Sequence, residues 1–201
     1  MNQTLRLGFL ASHNGTNMQA IIDACSEGRL DAEPCLVISN NSKSGAIERA
    51  KREGIPFLHL SGKTHPVPEE LDRAILAALK SREVNLVILA GYMKKIGSAT
   101  LAAFRSRILN IHPALLPKFG GKGMYGTRVH EAVLESGDRV TGVTIHIVDD
   151  KYDHGPIVAQ TEVPVLEDDT VESLSSRVLE REHSFFAETL QKIAEGKIVL
   201  P

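Results

Sequence analysis

The chain has 201 residues and a formal net charge of −2, and its 42% hydrophobic and 24% charged residues are typical of one soluble globular domain spanning 1–201. This balance, with no long basic run, argues against nucleic acid as a partner, and no apolar segment approaches the ~20 residues that a membrane span needs. The two cysteines form no disulfide framework and the N-terminus carries no secretion signal, so we expect a cytoplasmic protein without a membrane partner.

Short apolar runs alternate with segments of helical spacing along the chain, and this alternation predicts repeated strand–helix units. The predicted strands are Leu5–Ala11, Pro34–Ser39, Pro56–Leu60, Asn85–Gly91, Arg107–His112, Gly142–Asp150 and Pro156–Val165. The predicted helices are Met18–Gly28, Ala46–Gly54, Glu69–Ser81, Ser98–Phe104, Arg128–Ser136 and Val171–Glu195. We therefore expect an α/β fold with a doubly wound, mostly parallel sheet. The last two strands, which we expect to be joined by a tight connection, predict an antiparallel edge near the C-terminus.

The loop Ser12–Asn17, SHNGTN, joins the first predicted strand to the first predicted helix. Gly15 can adopt a left-handed backbone conformation that other residues resist, and Thr16 or Asn17 can cap the helix. The free amides at this helix start suit an anion, phosphate above all. The loop lacks both G-x-G-x-x-G and G-x-x-x-x-G-K-[ST], so an ordinary turn with a helix cap is the alternative.

The segment Ile108–Pro117, ILNIHPALLP, begins as a buried strand but carries two polar side chains. Because strand side chains alternate, Asn110 and His112 share one face while Ile111 points to the other. Pro113 cannot continue the ladder, so the pair lies at the carboxyl end of the strand, where open α/β sheets form their binding crevice. The alternative is a buried Asn and His that bond only to neighbouring backbone.

Three carboxylates crowd the segment His146–Pro156, those of Asp149, Asp150 and Asp153. One of them, placed near His112, would hold the imidazole and favour its charged form. An acidic turn that is merely solvated is the alternative.

Two other catalytic patterns are incomplete. His130 and Glu131 begin like the zinc motif H-E-x-x-H, but Leu134 stands at the position of the second histidine. Because no dense His and Cys cluster occurs elsewhere, we expect no metal. The absence of a G-x-S-x-G elbow argues against a Ser-His-Asp hydrolase.

Three motifs taken together resemble one known family: NIHPALLP at 110–117, N-G-T-N at 14–17 and a D-x-G-P loop at 153–156. Over nearly its full length, the chain resembles the phosphoribosylglycinamide formyltransferases, the folate-dependent transformylases of purine synthesis. The resemblance implies a Rossmann-like formyltransferase fold, with ribonucleotide binding in the N-terminal half and folate binding and catalysis in the C-terminal half. It also implies transfer of a formyl group from the co-substrate 10-formyltetrahydrofolate to the amine of glycinamide ribonucleotide.

The resemblance also assigns roles by position. Asn110, His112 and Asp153 match the family's catalytic residues. The residues that match its phosphate and ribose contacts are Asn14, Gly15, Thr16, Asn17, Gly91 and Glu182. The residues that match its folate contacts are Tyr92, Met93, Lys94, Lys95, Ile96, Asn110, Val148, Asp149 and Asp150.

The expected chemistry follows from the residue types. An amine that attacks a formyl carbon creates an oxyanion, which the Asn110 amide and a His112 imidazolium would stabilise. Asp153 would keep His112 charged and relay protons, without a metal.

Three rival interpretations concern related or simpler proteins. Formyltetrahydrofolate hydrolases carry an additional N-terminal domain and methionyl-tRNA formyltransferases an additional C-terminal one, and we expect neither here. A phosphate-binding module would need the SHNGTN loop but not the three catalytic residues together. The oligomeric state is expected to be a monomer or a homodimer.

Overall fold

The computed structural model describes residues 4–201, which form seven strands and six helices. The strands are β1 (Leu5–Ala11), β2 (Ala32–Ser39), β3 (Phe57–His59), β4 (Leu86–Leu89), β5 (Ile108–His112), β6 (Val140–Ile147) and β7 (Ile157–Pro164). The helices are α1 (Thr16–Ser26), α2 (Gly45–Arg52), α3 (Pro68–Ser81), α4 (Ser98–Ala103), α5 (Thr127–Ser136) and α6 (Val171–Ala194). Every predicted element is present, with ends that differ by a few residues.

The strands form one sheet in the order β3-β2-β1-β4-β5-β6-β7. Strands β1 to β5 pair in parallel, whereas β6 runs antiparallel to β5, and β7 to β6. The chain winds from β1 outward to β3 and then returns to the other side of β1 with β4, which creates a topological switch point between β1 and β4. The predicted doubly wound, mostly parallel sheet with an antiparallel C-terminal edge is confirmed.

Successive side chains of the central strands point to opposite faces of the sheet, and a hydrophobic core covers each face. Phe9 and Ile88 are fully buried in the core that contains residues of α1, α5 and α6. Leu10 and Leu89 lie in the core that contains residues of α3. Each buried side chain of this size stabilises the fold by about 1.5–3 kcal/mol. This packing on both faces fixes the central strands, and with them the residues at their carboxyl ends.

The predicted tight connection between the last two strands is wrong. Strand β6 ends at Ile147, not Asp150, and residues 148–156 form a long loop before β7. The strand ends here because the Oδ1 of Asp149 accepts a hydrogen bond from the backbone N–H of Lys151 (2.8 Å), which closes a turn. The predicted antiparallel pairing of β6 with β7 is confirmed, and the loop between them is long enough to reach back over the end of β5.

Two further features of the fold concern the end of β5 and the character of the helices. The peptide bond between Leu116 and Pro117, just after β5, is cis. None of the helices formed by residues 4–201 combines the length and the apolar character that a membrane span needs.

Candidate active site

A cavity of about 720 Å³ opens at the carboxyl ends of β4 and β5, close to the switch point of the sheet. Most of the residues predicted for the site line it: Asn17, Gly91, Tyr92, Met93, Lys94, Lys95, Ile96, Asn110, His112, Val148, Asp149, Asp153 and Glu182. Four predicted residues are absent from its lining: Asn14, Gly15, Thr16 and Asp150. The structure thus gathers segments from both halves of the chain around one space.

Strand β5 carries two of the candidate catalytic side chains on one face. Ile111 points into the core shared with α6, so Asn110 and His112 point to the opposite face, where the cavity lies. His112 is 3% exposed. Pairing with β4 on one side and β6 on the other holds this strand in place. The backbone that carries these two polar groups is therefore rigid.

The imidazole of His112 has a polar neighbour at each of its nitrogens. Its Nε2 lies 2.8 Å from the carbonyl oxygen of Phe119, which can only accept, so Nε2 carries the hydrogen. In the neutral ring Nδ1 then bears the lone pair, and it lies 3.6 Å from Oδ2 of Asp153. Burial lowers the pKa of His112, and the raising effects of the Asp153 carboxylate and of the Phe119 carbonyl do not compensate for it. This lowered pKa favours the neutral ring near neutral pH, in contrast to the resting imidazolium expected from the sequence.

Asp153 approaches His112 from the loop after β6, in a left-handed backbone conformation with φ 53°. Its Oδ2 accepts a hydrogen bond from the backbone N–H of Gly121 (2.9 Å). Burial raises the pKa of Asp153, but His146, the electrostatic influence of His112 in its protonated form and the Gly121 amide together bring it below its usual value. This side chain is therefore a carboxylate, placed to stabilise positive charge on the imidazole.

The start of α1 is the candidate anion site. Its N-cap is Gly15, with φ 65° and ψ 38°, and no side chain within residues 4–201 caps the helix. The predicted capping by Thr16 or Asn17 is wrong, because both residues already belong to the first turn. The amides of that turn have no partner inside the helix, so they suit an anion. The Nε of Arg49 donates to the carbonyl oxygen of Asn14 (2.9 Å) and adds positive charge beside the loop.

A buried carboxyl group closes the cavity on the side of α6. Glu182 is 7% exposed, and its Oε2 accepts a hydrogen bond from Nδ2 of Asn17 (3.3 Å). Burial raises the pKa of Glu182 to about 7, an effect that the Asn17 amide only partly offsets. The Oδ1 of Asn17 is itself buried without a partner among the described residues. Two neighbouring acceptors therefore suit a ligand that donates hydrogen bonds, such as a sugar hydroxyl.

The segment after β4 forms the opposite wall. Gly91 and Met93 tie it to the end of β1, because the Ser12 amide donates to the Gly91 carbonyl (3.1 Å) and the Met93 amide donates to Oγ of Ser12 (2.8 Å). Burial raises the pKa of Tyr92 to about 12, so its phenol stays protonated. Exposed lysines at 94 and 95 follow this wall. The combination suits a flat, partly apolar ligand with an anionic end.

Sequence reasoning missed several lining residues. They are the loop and helix start Gly121–Arg128 with His130, the strand residue His146, and Ser175 and Leu179 of α6. His146 had one signal in the sequence, since it is a lone histidine inside the apolar run of β6. The others approach the cavity only through tertiary packing. Within residues 4–201, no group of three or more His, Cys, Asp and Glu side chains is arranged to hold a metal ion.

The sequence matches the family described as formyl transferase over residues 5–190. It is 43% identical over 194 residues to a chloroplastic phosphoribosylglycinamide formyltransferase of Arabidopsis thaliana, which covers 96% of this chain but only 66% of that relative's length. It is 37% identical to the phosphoribosylglycinamide formyltransferase of Haemophilus influenzae, covering 97% of this chain and 90% of the relative.

A solved structure shares the same architecture. The crystal structure of glycinamide ribonucleotide transformylase 1 from Symbiobacterium toebii superimposes with a TM-score of 0.90 at 42% sequence identity, covering 98% of this chain and 91% of that one. The match extends through both halves of the sheet, including the strands that carry the candidate site. This chain therefore belongs to the formyl transferase family, within the group that contains the phosphoribosylglycinamide formyltransferases.

Proposed function

We propose that this chain transfers the formyl group of 10-formyltetrahydrofolate to the amine of glycinamide ribonucleotide, a step of purine biosynthesis. The observation that carries the proposal is the convergence of Asn110, His112 and Asp153 on one cavity, with the imidazole 3.6 Å from the carboxylate. The names of the relatives support the choice of substrates. The cytoplasmic location, the lack of nucleic-acid or membrane partners, and a monomeric or homodimeric state stay predictions.

The two substrates have complementary places around the cavity. The free amides at the start of α1 suit the ribonucleotide phosphate, and Glu182 suits the ribose hydroxyls. The wall from Tyr92 to Ile96 and the loop backbone at Val148 and Asp149 suit the folate. The amine and the formyl carbon then meet beside β5, and holding both in contact supplies much of the rate enhancement.

The neutral His112 gives the proton transfers a definite order. Attack by the neutral amine forms the new N–C bond and pushes the carbonyl electrons onto oxygen, which produces an oxyanion and a protonated nitrogen. The Nδ1 of His112 takes the proton from that nitrogen, and Asp153 stabilises the imidazolium. The N10–C bond then breaks as N10 receives this proton, and the oxygen electrons re-form the carbonyl group.

Asn110 supplies the donor for the oxyanion. Its amide lines the cavity on a strand that is paired on both sides, so little reorganisation is needed during the reaction. Removing one such donor typically costs about 2.7–4 kcal/mol of transition-state stabilisation, a factor of roughly 10²–10³ in kcat.

The test mixes the purified chain with glycinamide ribonucleotide and 10-formyltetrahydrofolate and follows the deformylated folate. We expect product only when both substrates are present, and a loss of roughly 10²–10³ in kcat for Asn110→Ala and for His112→Ala. Asp153→Asn should also lower kcat. Thermal unfolding verifies that each variant is folded.

Two results would contradict the proposal. Near-normal rates in all three folded variants would remove the assigned roles. Deformylated folate formed without the ribonucleotide would indicate hydrolysis in place of transfer.

A further inference from the structure

A second histidine lies buried beside the candidate catalytic amide. Strand β6 pairs antiparallel with β5, and the register places His146 opposite Asn110. His146 is 2% exposed and lines the same cavity as Asn110. The proton transfers described above make no use of this imidazole.

The contacts of His146 fix which of its ring nitrogens carries the hydrogen. Its Nδ1 lies 3.0 Å from the carbonyl oxygen of Ile147, and because a carbonyl oxygen only accepts, Nδ1 must be the donor. In the neutral ring Nε2 then has only a lone pair to offer. The nearest polar group to this lone pair is Nδ2 of Asn110, at 3.1 Å. The amide therefore donates to the imidazole.

This hydrogen bond determines whether the Asn110 amide presents its NH2 group or its oxygen to His146. An asparagine side chain can present either its oxygen or its NH2 group to a neighbour, and the two orientations have almost the same shape. An imidazole that carries its hydrogen on Nδ1 accepts at Nε2 only the NH2 orientation. The amide nitrogen carries two hydrogens, so one bonds Nε2 and the second is left for a substrate oxygen. The reversed amide would instead point its oxygen at the developing negative charge.

We propose that His146 is a positioning residue that holds the Asn110 amide with its NH2 group available to the oxyanion. The proposal rests on the proposed formyl transfer. His146 itself touches no reacting atom in this scheme and acts only through Asn110.

The charged neighbour of Nε2 is Asp153, whose pKa His146 lowers. Oδ1 of Asp153 lies 3.6 Å from Nε2, beyond hydrogen-bond distance and farther than the Asn110 amide. His112 and Asp149 are the remaining groups that interact with it electrostatically. A proton on Nε2 would turn it toward Asp153 and force the Asn110 amide to reverse.

The test compares two substitutions of similar size. His146→Leu fills the space without an acceptor, whereas His146→Gln places an amide oxygen near the former Nε2. We expect kcat of the Leu variant to fall about 10- to 100-fold, within the range for loss of an oxyanion donor. Its KM values should change less than about threefold, since ground-state binding is unaffected. The Gln variant should recover most of kcat, and equal loss in both variants would overturn the proposal.

A double-mutant cycle supplies the second measurement. Because His146 acts through Asn110, His146→Leu should have almost no further effect on kcat in the Asn110→Ala background. Full additivity of the two losses would contradict the proposed coupling.

A measurement that does not depend on turnover separates this proposal from the proposed function. The NMR signals of the Asn110 side-chain NH2 group should show one hydrogen protected from exchange in the unmodified chain and not in His146→Leu. If the chain transfers no formyl group, the proposed function fails, while the NMR signals still test the bond. An unprotected NH2 group in the unmodified chain would overturn the positioning role.

Discussion

At the scale of single residues, the protonation state of His112 sets the order of the proton transfers in the proposed reaction. Its Nε2–H is bonded to the Phe119 carbonyl, so the titrating nitrogen is Nδ1, which faces Asp153. Burial lowers the pKa of this ring, although a nearby carboxylate raises it. In the proposed reaction this side chain therefore takes a proton first and acts as a cation only afterwards.

This leads to a prediction about pH. The pKa of His112 lies below its usual value of 6.5, so protonation of this ring should lower kcat only when the pH drops below that value, separately from any loss caused by protonation of the attacking amine. Because the Asp153 carboxylate raises the pKa of His112, Asp153→Asn should move the acid limb to still lower pH while reducing the maximum rate. The measurement is kcat at saturating substrates between about pH 5 and pH 8. A rate that instead declined as the pH rose through this range would show that the charged ring is required at the outset.

At the scale of elements, Asn110 and His112 occupy the end of a strand, and the candidate anion site occupies the start of a helix. Strand β5 carries Asn110 and His112, and the antiparallel strand β6 places His146 beside Asn110. The start of α1 presents uncapped amides, because Gly15 turns the chain with a positive φ. These positions are rigid because the elements pack in the core, whereas the loops only bring partners to them.

The second prediction concerns the start of α1. In Gly15→Ala the new Cβ would lie 3.0 Å from Cβ of Ala46, at a φ that side chains resist, so the first turn should shift. We expect KM for glycinamide ribonucleotide to rise at least about tenfold, the effect of weakening one hydrogen bond to a charged group. KM for the formyl folate should change much less.

Gly28→Ala is the matched control for this experiment. Gly28 follows the same helix with φ +70°, and its new Cβ would meet nothing within 4 Å. The control should lose a similar amount of stability without altering either KM. Equal increases of both KM values in Gly15→Ala would contradict a phosphate role for α1.

At the scale of the whole molecule, the buried carboxyl of Glu182 links the free energy of unfolding to pH. Its pKa is raised from 4.5 to about 7 by burial between α6 and α1. The folded chain therefore keeps a proton that the unfolded chain releases, and this contribution to stability is lost as the pH rises from 4.5 to about 7. A shift of this size corresponds to about 3 kcal/mol.

The third prediction follows from this linkage. Glu182→Gln removes the titrating group but keeps the shape, so the variant should gain stability relative to the unmodified chain as the pH rises through this window. Denaturant unfolding at several pH values measures the difference. Glu180→Gln, exposed on the same helix, is the control and should show no such trend. Parallel stability curves for Glu182→Gln and the unmodified chain would mean that the carboxyl group is not shielded from water.

Hydrophobic periodicity is a local property of the chain, so the order and type of the elements could be predicted from the residues alone. The sequence also placed Asn110 and His112 on one face, since strand side chains alternate regardless of what surrounds them. The resemblance to a known family pointed to Asp153. The ends of strands and helices were less certain, as the turn at Asp149 and the uncapped start of α1 demonstrate.

The contacts between distant groups, and the effect of those contacts on their pKa values, depend on how the elements pack together. The contact between Asn17 and Glu182, the approach of Asp153 to His112 and the bond from Asn110 to His146 all join separate elements. A pKa depends on how much water the surrounding chain excludes and on which charges it brings near, and neither quantity is written in local sequence. For this reason the neutral state of His112 could not be read from the motif that contains it.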